Sequence, residues 1–301
     1  MTTFNVAMLI MCFGAGIFGA GIGGLATFII TGVIATIEAV CALTGATGGI
    51  AGMFALAFQL FPPNVFFVGA AGAAAVSAMR GTQEHGEDMT KSVFGNMDPV
   101  ALLAGGVISA ISYCLRLLTQ SNGFQSVIPT DSVCAVAIPL MIVIRLVFGK
   151  SGLTGNKEAR KADGGKYIPT GARLANDIIL GLACGAMVSG LTVMLDSMGV
   201  DVSPLPVFFF GITAVTLMFM WAGSSSPATH HIANQACFAA VCALPAMGAT
   251  GAIVVGCVFG VITSVLGDIL GMTFNSYHDT HIDPPAFAIL LVQPIIAWIF
   301  L

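Results

Sequence analysis

Charged side chains are scarce in this chain. Of its 301 residues only 8% are Asp, Glu, Lys or Arg, whereas 57% are hydrophobic and the mean hydropathy is +0.97. A soluble domain has about 25% charged residues. A water-soluble fold of this length could not bury so much apolar surface. The composition therefore excludes a soluble domain and predicts a helical protein embedded in a lipid bilayer.

The motifs of several enzyme and cofactor-binding classes are also missing. There is no P-loop, no H-E-x-x-H and no G-x-S-x-G, so nucleotide-driven transport by this chain alone and common hydrolase mechanisms are disfavoured. The eight cysteines form no C-x-x-C pair and lie in apolar stretches, which is typical of reduced, buried side chains. Gly14-Ala-Gly-Ile-Phe-Gly19 matches a dinucleotide fingerprint only as a string, and in an apolar segment it predicts close helix packing.

Apolar windows of about 20 residues predict an all-α bundle with about ten membrane segments. No positively charged leader precedes the first segment, so we expect it to remain as a membrane span. Two segments are too short to cross alone, which indicates half-helices, re-entrant pieces or kinked continuations; they are 46–61 and 236–246. The other predicted segments are 4–24, 25–44, 63–80, 99–119, 133–149, 174–198, 204–222, 248–271 and 284–301.

Positive charge is concentrated in one hydrophilic stretch. Six of the ten cations lie in it: Lys150, Lys157, Arg160, Lys161, Lys166 and Arg173. By the positive-inside rule this stretch is cytoplasmic, which makes a multi-pass protein of the prokaryotic cytoplasmic (inner) membrane the expected location. Counting segments from it puts the loop 82–98 on the same side and the loops 120–132 and 272–283 outside.

The basic stretch also divides the chain into two halves that resemble each other. Val65-Phe-Phe-Val-Gly69 recurs as Val207-Phe-Phe-Phe-Gly211, and Asp131 opens an apolar run as Asp283 does. We therefore expect a first membrane repeat at 1–149, a cytoplasmic linker at 150–173 and a second repeat at 174–301. Internal repeats are common in transporters, and their substrate sites lie where the repeats meet.

Ionisable side chains inside the apolar segments are the candidate functional residues. No Lys or Arg follows Arg173, yet six aspartates and four of the five histidines do. Such groups are costly in lipid and usually face a cavity, an interface or an ion. The predicted substrate or ion path consists of Glu38, His85, Asp131, His230, His231 and Asp283. Simpler readings remain open: His85 in a solvated loop, and Asp98, Asp131 and Asp283 as helix N-caps.

The densest polar cluster runs from Asn275 to Pro285. His278 and His281 are three residues apart and Asp279 stands between them, and imidazole and carboxylate groups are usual ligands of divalent metals. A divalent ion held by His278, Asp279 and His281 is one hypothesis. The alternative is a polar loop that caps the last helix. No other cofactor is indicated.

Four stretches resemble an uncharacterised prokaryotic family of permease-like, multi-pass membrane proteins: Thr130-Asp131, Glu84-His-Gly86, Val147-Phe-Gly-Lys-Ser-Gly-Leu153 and Thr280-His-Ile-Asp-Pro-Pro285. The resemblance implies no substrate and no catalytic residues.

The leading functional hypothesis is a membrane transporter or channel for a cation or a proton-coupled small solute. Its partners would be the lipid bilayer, its substrate and further copies of itself in a homo-oligomer; nucleic acid is not expected. One alternative is a structural subunit of a membrane complex, and the other is a metal-dependent intramembrane enzyme. Whether the chain is an enzyme stays open at this point, with transport favoured.

The orientation gives a first testable prediction. A cysteine placed at Gly155, within the basic stretch, should react with a membrane-impermeant thiol reagent only from the cytoplasmic side. Labelling of intact cells from outside would reverse the predicted topology.

Overall fold

The structure is a computed structural model that describes residues 3–301; residues 1–2, with which the first predicted repeat begins, lie outside the described range. Within 3–301 every regular element is a helix and no strand occurs. The longer helices are α1 (Val6–Ile22), α2 (Gly24–Leu43), α3 (Gly49–Leu60), α4 (Phe66–Met79), α5 (Pro99–Thr119), α7 (Cys134–Phe148), α9 (Ala172–Ser197), α10 (Leu205–Val215), α12 (His230–Phe274) and α13 (Pro284–Phe300). The short ones are α6 (Asn122–Gln125), α8 (Lys157–Ala162) and α11 (Leu217–Trp221).

Four of the described helices are long and apolar enough to cross a membrane: α2, α5, α9 and α12. Shorter apolar helices of 10–17 residues accompany them. Many large apolar side chains on these helices are exposed, among them Phe18, Val107, Ile179, Val254 and Trp298. An apolar surface of this kind is stable against lipid rather than water.

Aspartates determine where three of the helices begin. The Asp98 carboxylate accepts hydrogen bonds from the backbone N–H groups of Val100 and Ala101, both at 3.1 Å. Asp131 accepts from the first turn of α7 at 2.8 Å, and Asp283 from Ala286 N at 2.7 Å. The predicted N-cap role is therefore confirmed for Asp98 and Asp283, because each satisfies donors that a helix start leaves unpaired. The N-cap of α7 is Val133, and Asp131 accepts from the turn that leads into this helix.

Helix α12 is two helices joined by a sharp reversal. Gly248 has φ 66° and ψ −176°, outside helical conformation. A Cβ built on Gly256 would lie 3.0 Å from the carbonyl oxygen of Ala236, and one on Gly267 would lie 2.5 Å from His231 Nε2. The halves 230–247 (α12a) and 249–274 (α12b) therefore run antiparallel. The segment predicted at 236–246 belongs to α12a, which begins earlier, at His230.

The loops collect at two ends of the bundle. The basic end contains the loops 80–98, 149–171 and 275–283, which touch one another: Lys150 N and Ser151 N donate to Asp279, and Gly86 packs against the carbonyl of Asp279. The opposite end contains the turn near Gly248 with Asp196 and Asp201.

The expected external position of the loop 272–283 is therefore wrong. The physical reason lies in the path of the chain before α12a. After α11, residues 222–229 leave the basic end and reach only the interior of the bundle, where α12a begins. From there α12a continues to the opposite end. The reversal at Gly248 then brings α12b back to the basic end.

Glycines allow the helices to approach closely at two crossings. In the first, a Cβ built on Gly105 of α5 would lie 3.0 Å from the carbonyl oxygens of Gly16 (α1) and Gly69 (α4). In the second, a Cβ on Gly181 of α9 would lie 2.6 Å from the carbonyl oxygen of Gly260 in α12b. Gly16 belongs to the Gly14–Gly19 string, whose predicted packing role is thereby confirmed, since small residues permit backbone contact between membrane helices.

The proposed labelling position needs a correction. Gly155 has φ 84°, and a Cβ there would lie 2.7 Å from His278 Cε1, so a cysteine at this position would disturb the loop. Lys161 in α8 is exposed and tests the same orientation.

The close crossing of α9 and α12b predicts a pair of contrasting variants. Gly181→Ala should lower the stability by about 1–3 kcal/mol, because the added methyl group overpacks the contact with Gly260. Gly190→Ala, in the same helix but with no atom within 4 Å of the added Cβ, should leave the stability unchanged or slightly higher. Melting temperatures of the detergent-purified proteins measure both, and equal losses in the two variants would contradict the assigned packing.

Candidate functional site between two cavities

His230 and His231 lie at the start of α12a, in the interior of the bundle. Their exposed fractions are 2% and 5%. The His230 ring packs against Phe28 of α2, with 4.6 Å between centroids, and against Phe210 of α10 at 5.7 Å. Neither ring nitrogen of His230 has a hydrogen-bond partner, and Nδ1 of His231 has none. Buried polar groups are normally paired, so the missing partners mark this position as a candidate site.

His281 and Asp283 approach the same position from the loop before α13. The Nε2 atom of His281 lies 3.6 Å from Oδ1 of Asp283, and the edge of its ring meets Phe67 of α4 at 5.5 Å between centroids. Asp283 is 7% exposed, and one of its carboxylate oxygens accepts the N-cap hydrogen bond from Ala286 N. The second carboxylate oxygen, Oδ1, is the one that faces His281.

A cavity of about 490 Å³ opens from this cluster toward the basic end. His230, His231, His281 and Asp283 line its inner part. Its outer part is lined by acidic residues: Glu87, Asp88, Asp177 and Asp268. The remaining wall is largely apolar and includes Leu25, Phe28, Phe67, Leu217 and Met220. The volume is in the usual range for small-molecule sites.

A second, smaller cavity of about 120 Å³ lies on the other side of the cluster. It reaches toward the opposite end, where Arg116, Asp131 and Ser132 line it. Both cavities are lined by Phe28, His230 and Asp283. These three side chains therefore separate two cavities that extend toward the two ends of the bundle.

The structure brings together some residues of the predicted path but not all of them. His230, His231 and Asp283 share the first cavity, and Asp131 lines the second. Glu38 lies in α2, ten residues beyond Phe28, which is about 15 Å along a helix, and lines neither cavity. His85 is in an exposed loop, where Nδ1 pairs with Glu87 at 3.1 Å. The solvated-loop reading of His85 matches its position.

The three residues of the metal hypothesis do not converge. Asp279 accepts from Lys150 N at 2.5 Å and from Ser151 Oγ at 2.6 Å, whereas His281 points into the first cavity. Nε2 of His278 lies 3.1 Å from the Thr273 carbonyl. Among residues 3–301 no set of three His, Cys, Asp or Glu side chains could hold a metal ion. The alternative, a polar loop that caps the last helix, fits this arrangement instead.

The residues around His278 fasten the basic loop to the end of α12. Arg145, 1% exposed, donates to Thr280 Oγ1 at 2.9 Å and to the carbonyl of Phe274 at 2.5 Å. Burial, together with the nearby charges of Arg145 and Arg160, lowers the pKa of His278 to about 4, although the Thr273 contact opposes the shift. Burial alone would raise the pKa of Asp279, but its hydrogen bonds from Ser151 and Lys150 lower it.

Sequence reasoning missed several side chains of the site. Nothing in the sequence singles out Phe28, because it is one of 21 phenylalanines. Asp268 lies after the last cation of the sequence, yet Arg173 donates to it, with Nε at 2.6 Å from Oδ2. The absence of cations after Arg173 indicated that the later aspartates have special surroundings. It did not reveal that Arg173 itself pairs with Asp268 of α12b.

The fold and the site together define a class. The chain is an all-helical protein, with helices able to cross a membrane, that encloses a histidine- and aspartate-lined cavity. A family model described as a family of unknown function, DUF7973, matches residues 151–301, half of the chain, and the protein belongs to this family. No curated protein and no solved structure matches the chain.

The buried histidine of the basic end predicts a pH dependence of stability. An ordinary histidine pKa is 6.5 and that of His278 is about 4, so the unfolded chain binds a proton that the folded chain refuses. Stability should therefore fall as the pH decreases from about 6.5 toward 4. Replacing this residue, His278→Gln, should make the melting temperature less sensitive to acidification between pH 7 and 5. Identical pH slopes for both proteins would show that His278 is not held in its neutral form.

Proposed function

We propose that the protein is a secondary transporter or channel for a cation or a proton-coupled small solute. The observation that carries the proposal is the pair of cavities that extend toward opposite ends of the bundle and meet at Phe28, His230 and Asp283. A solute that passes from one cavity to the other must displace or pass these three side chains. Alternating access needs one site that each side reaches in turn, and the position of these side chains between the cavities supports such a site.

We further propose an inverted repeat. In the proposed correspondence, five helices of the first half pair in order with five of the second half: α1, α2, α4, α5 and α7 with α9, α10–α11, α12a, α12b and α13. Each helix of the second set would then run opposite to its counterpart. Both α4 and α12a begin inside the bundle, α4 leading to the basic end and α12a to the opposite end. Repeats of opposite topology with broken helices are a common ground plan of transporters.

The contact between α2 and α10 has the symmetry that such a repeat requires. A Cβ built on Gly32 would lie 2.8 Å from the carbonyl oxygen of Gly211, and one built on Gly211 would lie 2.8 Å from that of Gly32. Phe28 near the start of α2 meets Phe210, and Leu43 at the end of α2 packs against a cluster that contains Leu205 and Phe209. The two helices therefore cross antiparallel through equivalent glycines.

Sequence matches follow the same correspondence. Ala74-Ala-Val-Ser-Ala78 of α4 matches Ala239-Ala-Val-Cys-Ala243 of α12a, and Ala101, Gly105 and Ser112 of α5 match Ala252, Gly256 and Thr263 of α12b. In the proposed alignment Asp131 and Asp283 are counterparts, and residues 150–173 lie between the two repeats. The Val-Phe-Phe match, in contrast, relates α4 to α10, which are not counterparts.

Charge asymmetry gives the orientation. Nine of the ten cations lie at the basic end, and only Arg116 lies toward the opposite end. By the positive-inside rule the basic end faces the cytoplasm, so the larger cavity with its acidic rim opens there. An acidic rim raises the local concentration of cations, which favours a cationic or proton-coupled cargo.

Homo-oligomer formation stays a prediction. The glycine faces that suggested it are occupied within the chain, since Gly16 packs against Gly105 and Gly19 packs against Phe66.

Replacement of the histidine pair tests the function. Proteoliposomes loaded with a pH-sensitive dye, under a potassium diffusion potential, should report proton flux with the native protein. The double variant His230→Ala/His231→Ala should reduce this flux to that of empty liposomes, because the two imidazole rings that could pass a proton beside Asp283 are gone. Unchanged flux in a folded double variant would move the path elsewhere.

The matched control is His85→Ala, which removes the same side chain from an exposed loop. It should keep the native flux. Size-exclusion profiles of all variants establish that they fold.

A further inference from the structure

The start of α12a presents hydrogen-bond donors that the described residues leave unpaired. The first N–H groups of a helix have no acceptor within it, and here they belong to His230, His231 and Ile232. The N-cap residue, Thr229, makes no side-chain capping bond. Both histidine rings are buried with unpartnered nitrogens. Backbone and side-chain donors at a buried helix start therefore face the cavities without an acceptor.

The counterpart helix shows that such a start can be closed. Pro62 and Pro63 precede α4, and proline has no N–H to satisfy. The next donors are used locally: Val65 N and Phe66 N donate to the carbonyl of Pro62 at 3.0 and 2.9 Å. The donors at the start of α4 are thus satisfied locally, whereas those at the start of α12a are not.

An acceptor for a cationic group lies on the same cavity wall. Asp283 has a carboxylate oxygen not used by the Ala286 bond, and its neighbour His281 is 3.6 Å away with Nε2 unpartnered. The face of Phe28 adjoins His230, and an aromatic face attracts cations. The site therefore offers donors for an anion and, beside them, an acceptor for a cation.

We infer, on the basis of the proposed transport function, that this site binds a small zwitterion with an apolar side chain. Its carboxylate would accept from the start of α12a and the histidines, and its ammonium group would donate to Asp283. The side chain would lie in the apolar part of the larger cavity, against Leu25, Leu217 and Met220. A helix N-terminus favours a carboxylate by its dipole as well as by its free N–H groups.

Simpler ligands satisfy only part of the site. A bare cation pairs with Asp283 but leaves the N–H groups of α12a without an acceptor. A simple anion fills those donors but brings a second negative charge close to the Asp283 carboxylate. Unpaired buried polar groups are costly, so the full set of partners selects a ligand that carries both charges.

Three matched ligands test the inference on the detergent-purified full chain by isothermal titration calorimetry. These are leucine, isopentylamine (leucine without its carboxylate) and isocaproate (leucine without its ammonium group). Leucine should bind about tenfold to a hundredfold more tightly than either of the others, since each lacks one charged hydrogen-bonding group. Asp283→Asn should weaken leucine binding by a similar factor, while asparagine still caps α13. Asp201→Asn, at an exposed turn of the opposite end, should leave binding unchanged.

The other outcomes separate this inference from the transport proposal. Equal affinity for isopentylamine and leucine, or for isocaproate and leucine, would overturn the inference that the site selects a zwitterion. Absence of binding by all three, with the histidine-dependent proton flux intact, would overturn it too and leave transport standing. Leucine binding that depends on Asp283, in a protein without flux, would support the site and reject the transport proposal.

Discussion

The constraint that matters most in this protein is the need of the polar groups at the start of α12a for hydrogen-bond partners. In an apolar bundle each backbone N–H needs a partner, because no bulk solvent reaches it. Helices that begin at the ends of the bundle meet this need with aspartate caps, as α5 and α13 do. Helix α4 begins inside and uses prolines and its own carbonyls. Among these helices only α12a begins inside with open donors and two histidines whose ring nitrogens lack partners; the proposed ligand would supply the missing partners.

Glycine contacts hold this arrangement in place. The crossings at Gly105 and Gly181 bring helix backbones within contact of each other, which leaves no room to shift the helices by the width of a methyl group. The His230 ring is thereby held against Phe28 and Phe210, and the His231 ring against His230, by packing rather than by hydrogen bonds of the rings. At the basic end, Arg145 and Asp279 connect the linker to the segment after α12. The hydrogen-bonded loops of the basic end are thus separate from the unpartnered histidines at the start of α12a.

Many helix positions could be predicted from the sequence, because hydrophobic windows and aspartate–proline pairs depend only on residues close together in the chain. The starts of α5 and α13 at Pro99 and Pro284 are examples. The reversal at Gly248 could not, since a single glycine between apolar runs does not distinguish a kink from a hairpin, and the side of the loop 272–283 was wrong for that reason. His230, His231 and Asp283 were singled out as buried ionisable groups, but Phe28 and the Arg173–Asp268 pair depend on tertiary contacts that no local pattern encodes.

The proposed function requires that the larger and smaller cavities open to opposite sides of a membrane and are separated by Phe28, His230 and Asp283. Accessibility of single cysteines tests it most directly, in a background where the exposed or half-buried Cys41, Cys114 and Cys257 are replaced by serine. With a membrane-impermeant thiol reagent, Met220→Cys in the larger cavity should be labelled only from the cytoplasmic side, and Ser132→Cys in the smaller one only from outside. Labelling of both positions from the same side would contradict the account.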